Sequence, residues 1–132
     1  MKKHLPLLLV LIMAISCKKD KNEQPVQAST GLAGKWELRR ESGGLGADRI
    51  YGAGNGTTFQ FNADSTFIQY TTFQLTNQGV YSVVVQTAGT PQFKFLVLYL
   101  NHKVYNGIDL RPDTLIIGNT ASDGIAYTYL RQ

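Results

Sequence analysis

The sequence predicts an all-β domain, an eight-stranded antiparallel up-and-down β-barrel, on three observations. Beyond residue 30 no stretch spaces its apolar residues as a helix would; β-branched and aromatic residues come in short runs; and clusters of Gly, Asn, Asp and Pro separate those runs at hairpin length. Short strands joined in this way can close on themselves, which removes the unpaired edges that invite aggregation. An interior bounded by eight strands is just wide enough to be filled by side chains or to hold one small ligand.

The first run, Lys35 to Glu41, sets Trp36 and Leu38 against Lys35, Glu37 and Arg39, the alternation of a strand buried on one face. A long glycine-rich connection, Ser42 to Gly56, follows it. The second run carries Phe59 and Phe61 on one side, and Asn62-Ala63-Asp64-Ser65 is turn chemistry leading into the third, Thr66 to Phe73, so these two form a hairpin. A turn is expected over Thr76-Asn77-Gln78-Gly79. The fourth run, Val80 to Thr87, then places Tyr81, Val83 and Val85 on one face, and Gly89-Thr90-Pro91 closes it. The fifth, Phe93 to Leu100, is apolar on both faces after Lys94, so one face is expected to meet the core and the other a neighbour or a loop. In the sixth, Val104 to Leu110, Asn106 and Gly107 mark a bulge. Pro112-Asp113 turns into the seventh, Leu115 to Gly118, and Asp123-Gly124 into the eighth, Ile125 to Arg131.

Ahead of this body the chain has a different character. Lys2, Lys3 and His4 form a positive start, Leu5 to Ile15 an apolar stretch, and Ala14-Ile15-Ser16 a small-residue exit, the three zones of a signal peptide over residues 1–16. A membrane-spanning helix needs about twenty apolar residues, and Lys18, Lys19 and Asp20 end this run sooner. Ala14-Ile15-Ser16-Cys17 resembles the lipobox of bacterial lipoproteins, which implies cleavage before Cys17 and a diacylglycerol on its sulfur. Cys17 is the single cysteine, so no intrachain disulfide can form. Each buried acyl methylene contributes about 0.8 kcal/mol, and more than one chain makes such an anchor stable. Lys18, where the resembling families often use aspartate to signal inner-membrane retention, points to the outer membrane, with the body facing the periplasm or the outside. Residues 17–29 read as the lipidated cysteine and a polar tether, too poor in apolar residues to order itself. Residues 30–132 suit one small domain.

Two features of the body resemble the lipocalin family. Gly34-Lys35-Trp36 opens the first strand and Arg131 ends the last, and lipocalins begin their barrel with Gly-x-Trp after a short helical turn, here Leu32-Ala33, with an arginine of the final strand lying across that tryptophan. The resemblance implies that Gly34, Trp36 and Arg131 close the base of the barrel. A guanidinium over an indole gains roughly 0.5 to 2 kcal/mol, and the indole N–H needs a buried acceptor. Lipocalins also lid their open end with a long loop after the first strand. The Ser42 to Gly56 connection is therefore read as a gate, with Arg49 and Tyr51 placed to touch a ligand. The chain ends at Gln132 without the helix and extra strand that follow in full-length lipocalins, so it resembles the short lipocalin-like lipoproteins of Gram-negative bacteria, and a cavity that is small or absent is expected.

Several chemistries are disfavoured. The signal takes Lys2 and Lys3 with it, so the net charge falls from +4 to +2 and the body is nearly neutral, without the basic stripe a nucleic-acid partner needs. A serine or cysteine nucleophile needs a base in reach, and past the signal the one histidine, His102, sits in an expected turn. No catalytic residue, metal or cofactor is expected, because one histidine and scattered carboxylates do not make a ligand set. Asp64, Asp109, Asp113 and Asp123 fall in expected turns, where carboxylates cap backbone amides. Asp64-Ser65-Thr66 and Asp113-Thr114-Leu115 resemble an O-glycosylation signal of exported proteins, with Ser65 more accessible than Thr114.

Two functional readings follow. In the first, a monomeric barrel takes a small apolar or amphipathic molecule in a mouth lined by Phe61, Tyr81, Tyr127 and Tyr129 beneath the glycine loop. In the second, the barrel is filled and its outer surface serves as an envelope interaction or inhibitor module.

Overall fold

A computed structural model describes residues 31–44, 46–118 and 124–132, and the regular structure there is all strand. The signal, Cys17, the tether and Asp123 lie outside the described residues. Nine strands follow one another: β1 (Gly34–Gly43), β2 (Ala47–Ile50), β3 (Thr58–Phe61), β4 (Thr66–Thr71), β5 (Gln74–Ala88), β6 (Phe93–Leu100), β7 (Lys103–Leu110), β8 (Thr114–Gly118) and β9 (Ile125–Arg131). From β3 to β9 each strand pairs antiparallel with the next, and β1 pairs with β3. The last strand returns to the first, from Trp36↔Arg131 to Gly43↔Ile125, and closes an eight-stranded up-and-down barrel to which β2 is added.

The additional strand corrects the reading of residues 42–56 as a loop. One edge of β1 carries two partners, β3 opposite Gly34–Glu37 and β2 opposite Arg40–Gly43. The Tyr51 amide donates to the Arg39 carbonyl and the Leu38 amide to the Thr57 carbonyl, so the ladder bridges the gap and residues 52–56 are extruded from what is otherwise one strand. Gly43, Gly44 and Gly46, all at positive φ, make the reversal that brings β2 back, and a two-pronged Arg40–Asp48 ion pair at 2.8 Å spans the hairpin.

A second correction concerns Thr76–Gly79, which lie inside the fifteen-residue β5 and make no turn. Here β5 leaves its pairing with β4, which ends at Val80, and takes up β6 from Tyr81. The Asn101 side chain satisfies the backbone at this handover: its Oδ1 accepts from the Val80 amide at 3.1 Å, and its Nδ2 donates to the Gln78 carbonyl at 3.3 Å. Only glycine at 79 leaves room for it, since a Cβ there would collide with the Asn101 amide. The β6–β7 bulge falls on Tyr105, between the pairs Leu98↔Asn106 and Tyr99↔Val104, one residue before the expected Asn106. Leu32 lies in a turn, and Asp109 lies within β7, paired to Arg111 at 2.8 Å.

The core sits at the end of the barrel where the chain enters. Trp36, Phe59, Phe61, Phe67, Leu98 and Leu115 are fully buried there, each contributing about 1.5 to 3 kcal/mol by burial. The Trp36 indole donates to the Leu32 carbonyl at 2.8 Å, and the Arg131 guanidinium lies 4.1 Å from the ring centre. Arg131 also donates to the carbonyls of Pro112, Ala33 and Gly31, tying the first and last described segments together. A Cβ on Gly34 would stand 2.5 Å from Arg131 Nη1, so the glycine makes the space the guanidinium occupies. Indole, guanidinium and entering chain together form the floor.

Candidate functional site

The opposite end of the barrel is lined differently. The register sets Glu41 opposite both Arg49 and Tyr127, and Leu38 opposite Tyr129, with Leu38 and Tyr129 in the core. Tyr51 and Tyr127 are half-buried and pack against that core. The bulge on Tyr105 turns its ring inward, where its edge meets Phe59 at 6.0 Å, and Tyr129 meets the same ring at 5.6 Å. Four tyrosines, 51, 105, 127 and 129, thus lie toward this end, with Tyr51 and Tyr127 half-buried, Tyr105 exposed, and Tyr129 buried against Phe59.

The polar groups of this end act on one another. The Tyr51 hydroxyl donates to Glu41 Oε2 at 3.0 Å. The neighbouring Tyr51 oxygen and the Glu41 carboxylate together hold Arg49 above its usual value. Burial pushes the Tyr129 hydroxyl well above the ordinary phenol range, reinforced by Tyr105, Tyr127 and Tyr51. Tyr105 is raised by burial as well. Tyr105 and Tyr129 therefore hold their protons above the ordinary phenol range, and the phenols of this end offer donors and acceptors above an apolar base. A carboxylate, a guanidinium and neutral hydroxyls at the rim suit an amphipathic guest whose polar end stays near solvent.

The residues expected to line the mouth divide. Arg49, Tyr51, Tyr127 and Tyr129 are at this end. Phe61 is 1% exposed and stacked on Phe59 at 5.3 Å, and Tyr81 is buried with its hydroxyl donating to the Asn62 carbonyl at 2.9 Å, so both belong to the floor. The reason is register: Phe61 faces Gly34 across the β1–β3 ladder, at the entry end of the strand. Glu41 and Tyr105 were missed. The alternation from Trp36 through Leu38 continues to Arg40, but a bulge at Arg39 turns Glu41 inward instead and another at Tyr105 does the same for that ring, and no local sequence feature marks either.

The extruded segment does not cover the mouth. Asn55 holds it against β1, donating to the Leu38 and Gly52 carbonyls at 2.8 and 2.7 Å while accepting from the Thr57 amide at 2.9 Å. Gly54 and Gly56 there border a recess on the outer wall. Farther round, a shallow groove of about 680 Å³ runs over β6 to β8 between Phe93, Phe95 and Ile116, with Gly107 at its base. Their register puts these residues opposite in facing to Leu96, Leu98 and Ile117. Among the described residues no cluster of His, Cys, Asp or Glu could hold a metal ion, and no helix is long and apolar enough to cross a membrane.

Comparison with family models, with curated proteins and with solved structures produced no match to this chain.

Proposed function

We propose that the protein is a lipid-anchored, non-enzymatic, lipocalin-like binding protein that takes a small apolar or amphipathic molecule in the mouth of its barrel. The observation that carries this reading is the group of Tyr51, Tyr105, Tyr127 and Tyr129, capped by Glu41 and Arg49, above a packed floor. The guest is small, with its apolar part on the phenol faces and its polar part between Glu41 and Arg49. The Ala14-Ile15-Ser16-Cys17 exit supports acylation at Cys17 and attachment to the outer membrane. Closure pairs the first strand of the barrel with the last, which favours a monomer.

A second reading has its own support. The outer groove over β6 to β8 exposes Phe93 by 58% beside half-buried Phe95, which suits a protein partner better than a soluble metabolite. Native mass spectrometry on the protein purified from its host separates the two. A retained small molecule, lost when Tyr127 and Tyr129 are changed to Ala, is the expected result. A folded protein that carries none removes the carrier reading and leaves the surface one. The same spectrum shows whether Cys17 carries its lipid.

A further inference from the structure

On the outer wall, Glu37 occupies a position that its chemistry does not favour. Its side chain points away from the core, opposite in facing to Trp36 and Leu38, yet it is only 3% exposed. Burying a carboxylate is costly unless it is both paired and hydrogen-bonded. Glu37 Oε2 is 2.8 Å from Arg39 Nη2, but the approach is off the donor direction, so the oxygen has the charge without a hydrogen bond. The carboxylate borders a recess of about 450 Å³.

The rest of that recess is also specialised. Cross-strand pairing aligns Glu37, Thr58 and Tyr70 in one row and Lys35 and Gln60 in the next. The extruded glycine segment and the β4–β5 turn form the far side. That turn holds Thr72 at φ 50° and Phe73 at φ 66°, a left-handed pair with neither asparagine nor glycine. Two bonds keep it in place: the Phe73 amide donates to the Gly56 carbonyl at 2.9 Å, and the Thr72 amide to Thr57 Oγ1 at 3.2 Å. The Phe73 ring lies where a Cβ of Gly56 would be, and yet it is 72% exposed. Strain of this kind persists where surrounding structure imposes it, and here it holds an aromatic ring beside a buried acceptor.

We propose that this recess binds a neutral polyhydroxylated ring, a carbohydrate, with a hydroxyl donating to Glu37 and an apolar ring face against Phe73 and Tyr70. Charge decides the class. The charged side chains lining the recess, Lys35 and Glu37, balance, and Arg39 already pairs with the carboxylate, so neither a cationic nor an anionic guest meets a net counter-charge. A hydroxyl supplies the missing donor without adding charge, and Lys35, Thr58 and Gln60 offer further polar partners. The site is distinct from the barrel mouth and does not depend on what the mouth holds.

The test is an amide chemical-shift titration of the 15N-labelled full-length protein with the methyl glycosides of glucose, galactose and N-acetylglucosamine. At least one is expected to shift Gly54, Gly56, Thr58, Tyr70 and Phe73 saturably while leaving Tyr127 and Tyr129 unmoved. Glu37→Gln and Phe73→Ala should each weaken that response at least tenfold. Because Phe73 is an exposed turn residue, its variant keeps the test decisive even where loss of Glu37 perturbs the fold. No saturable shift from any of the three glycosides, or an unchanged response in Phe73→Ala, overturns the proposal.

Discussion

The floor and the mouth of this barrel are built from the same residue class to opposite ends. At the floor, aromatic rings are consumed by packing: Phe61 meets Phe59 at 5.3 Å and Tyr81 at 5.0 Å, and Trp36 lies under Arg131. Every polar atom brought in has a backbone partner, as with the Trp36 indole on Leu32 and the Tyr81 hydroxyl on Asn62. At the mouth the Tyr51 hydroxyl instead donates to the Glu41 carboxylate, and Arg49 lies beside both. An aromatic ring whose polar tip is satisfied by backbone serves stability; one whose tip meets other side chains at an opening is available for recognition.

The contrast is sharpest in variants. Trp36→Ala removes a fully buried indole together with its hydrogen bond and its guanidinium partner, and is expected to cost about 3 to 5 kcal/mol in chemical denaturation. Arg131→Ala leaves the indole in place but removes the stacking charge and three carbonyl bonds from a partly exposed residue. A loss of about 1 to 3 kcal/mol is expected by the same measurement. A mouth variant, Tyr127→Phe, should change stability by no more than about 0.5 kcal/mol while altering small-molecule retention in native mass spectra. Equal destabilisation by Trp36→Ala and Tyr127→Phe would erase the distinction between the two ends.

Buried phenols set the alkaline limit at both ends, since burial raises Tyr81 at the floor as well. Tyr129 and Tyr105 titrate higher in the folded chain than the ordinary value of 10.0, so the folded state holds protons that the unfolded state releases. Their contribution is fully present below pH 10 and lost as pH rises through the folded values. Thermal midpoints from pH 7 to 9.5 should show no tyrosine-dependent decline. Above pH 10 they should fall, with tyrosinate absorbance appearing together with unfolding.

How far these features could be read from residues alone follows from the range over which each is determined. The run Phe93–Leu100 and the run ending in Arg131 are local patterns, and both strands have the expected bounds. Gly34, Trp36 and Arg131 meet because the first and last strands pair, which the order of elements already implies. The strand at Ala47–Ile50 was hidden because its short sequence lies among glycines, and it exists only through its partners on β1. The polar residues Thr76–Gly79 look like a turn until Asn101, far along the chain, is placed against them. Phe61 and Tyr127 are both inward aromatics, and only the register tells which of them is at the floor.

The central claim is that the mouth receives a guest while the floor stays closed. A 13C aromatic spectrum of the protein, titrated with decanoate and then dodecanoate, tests it directly. The account predicts that the ring signals of Tyr51, Tyr105, Tyr127 and Tyr129 move together and saturate while those of Trp36, Phe61 and Phe67 stay fixed. Movement of the floor signals without the tyrosines, or no movement of any ring, would contradict it.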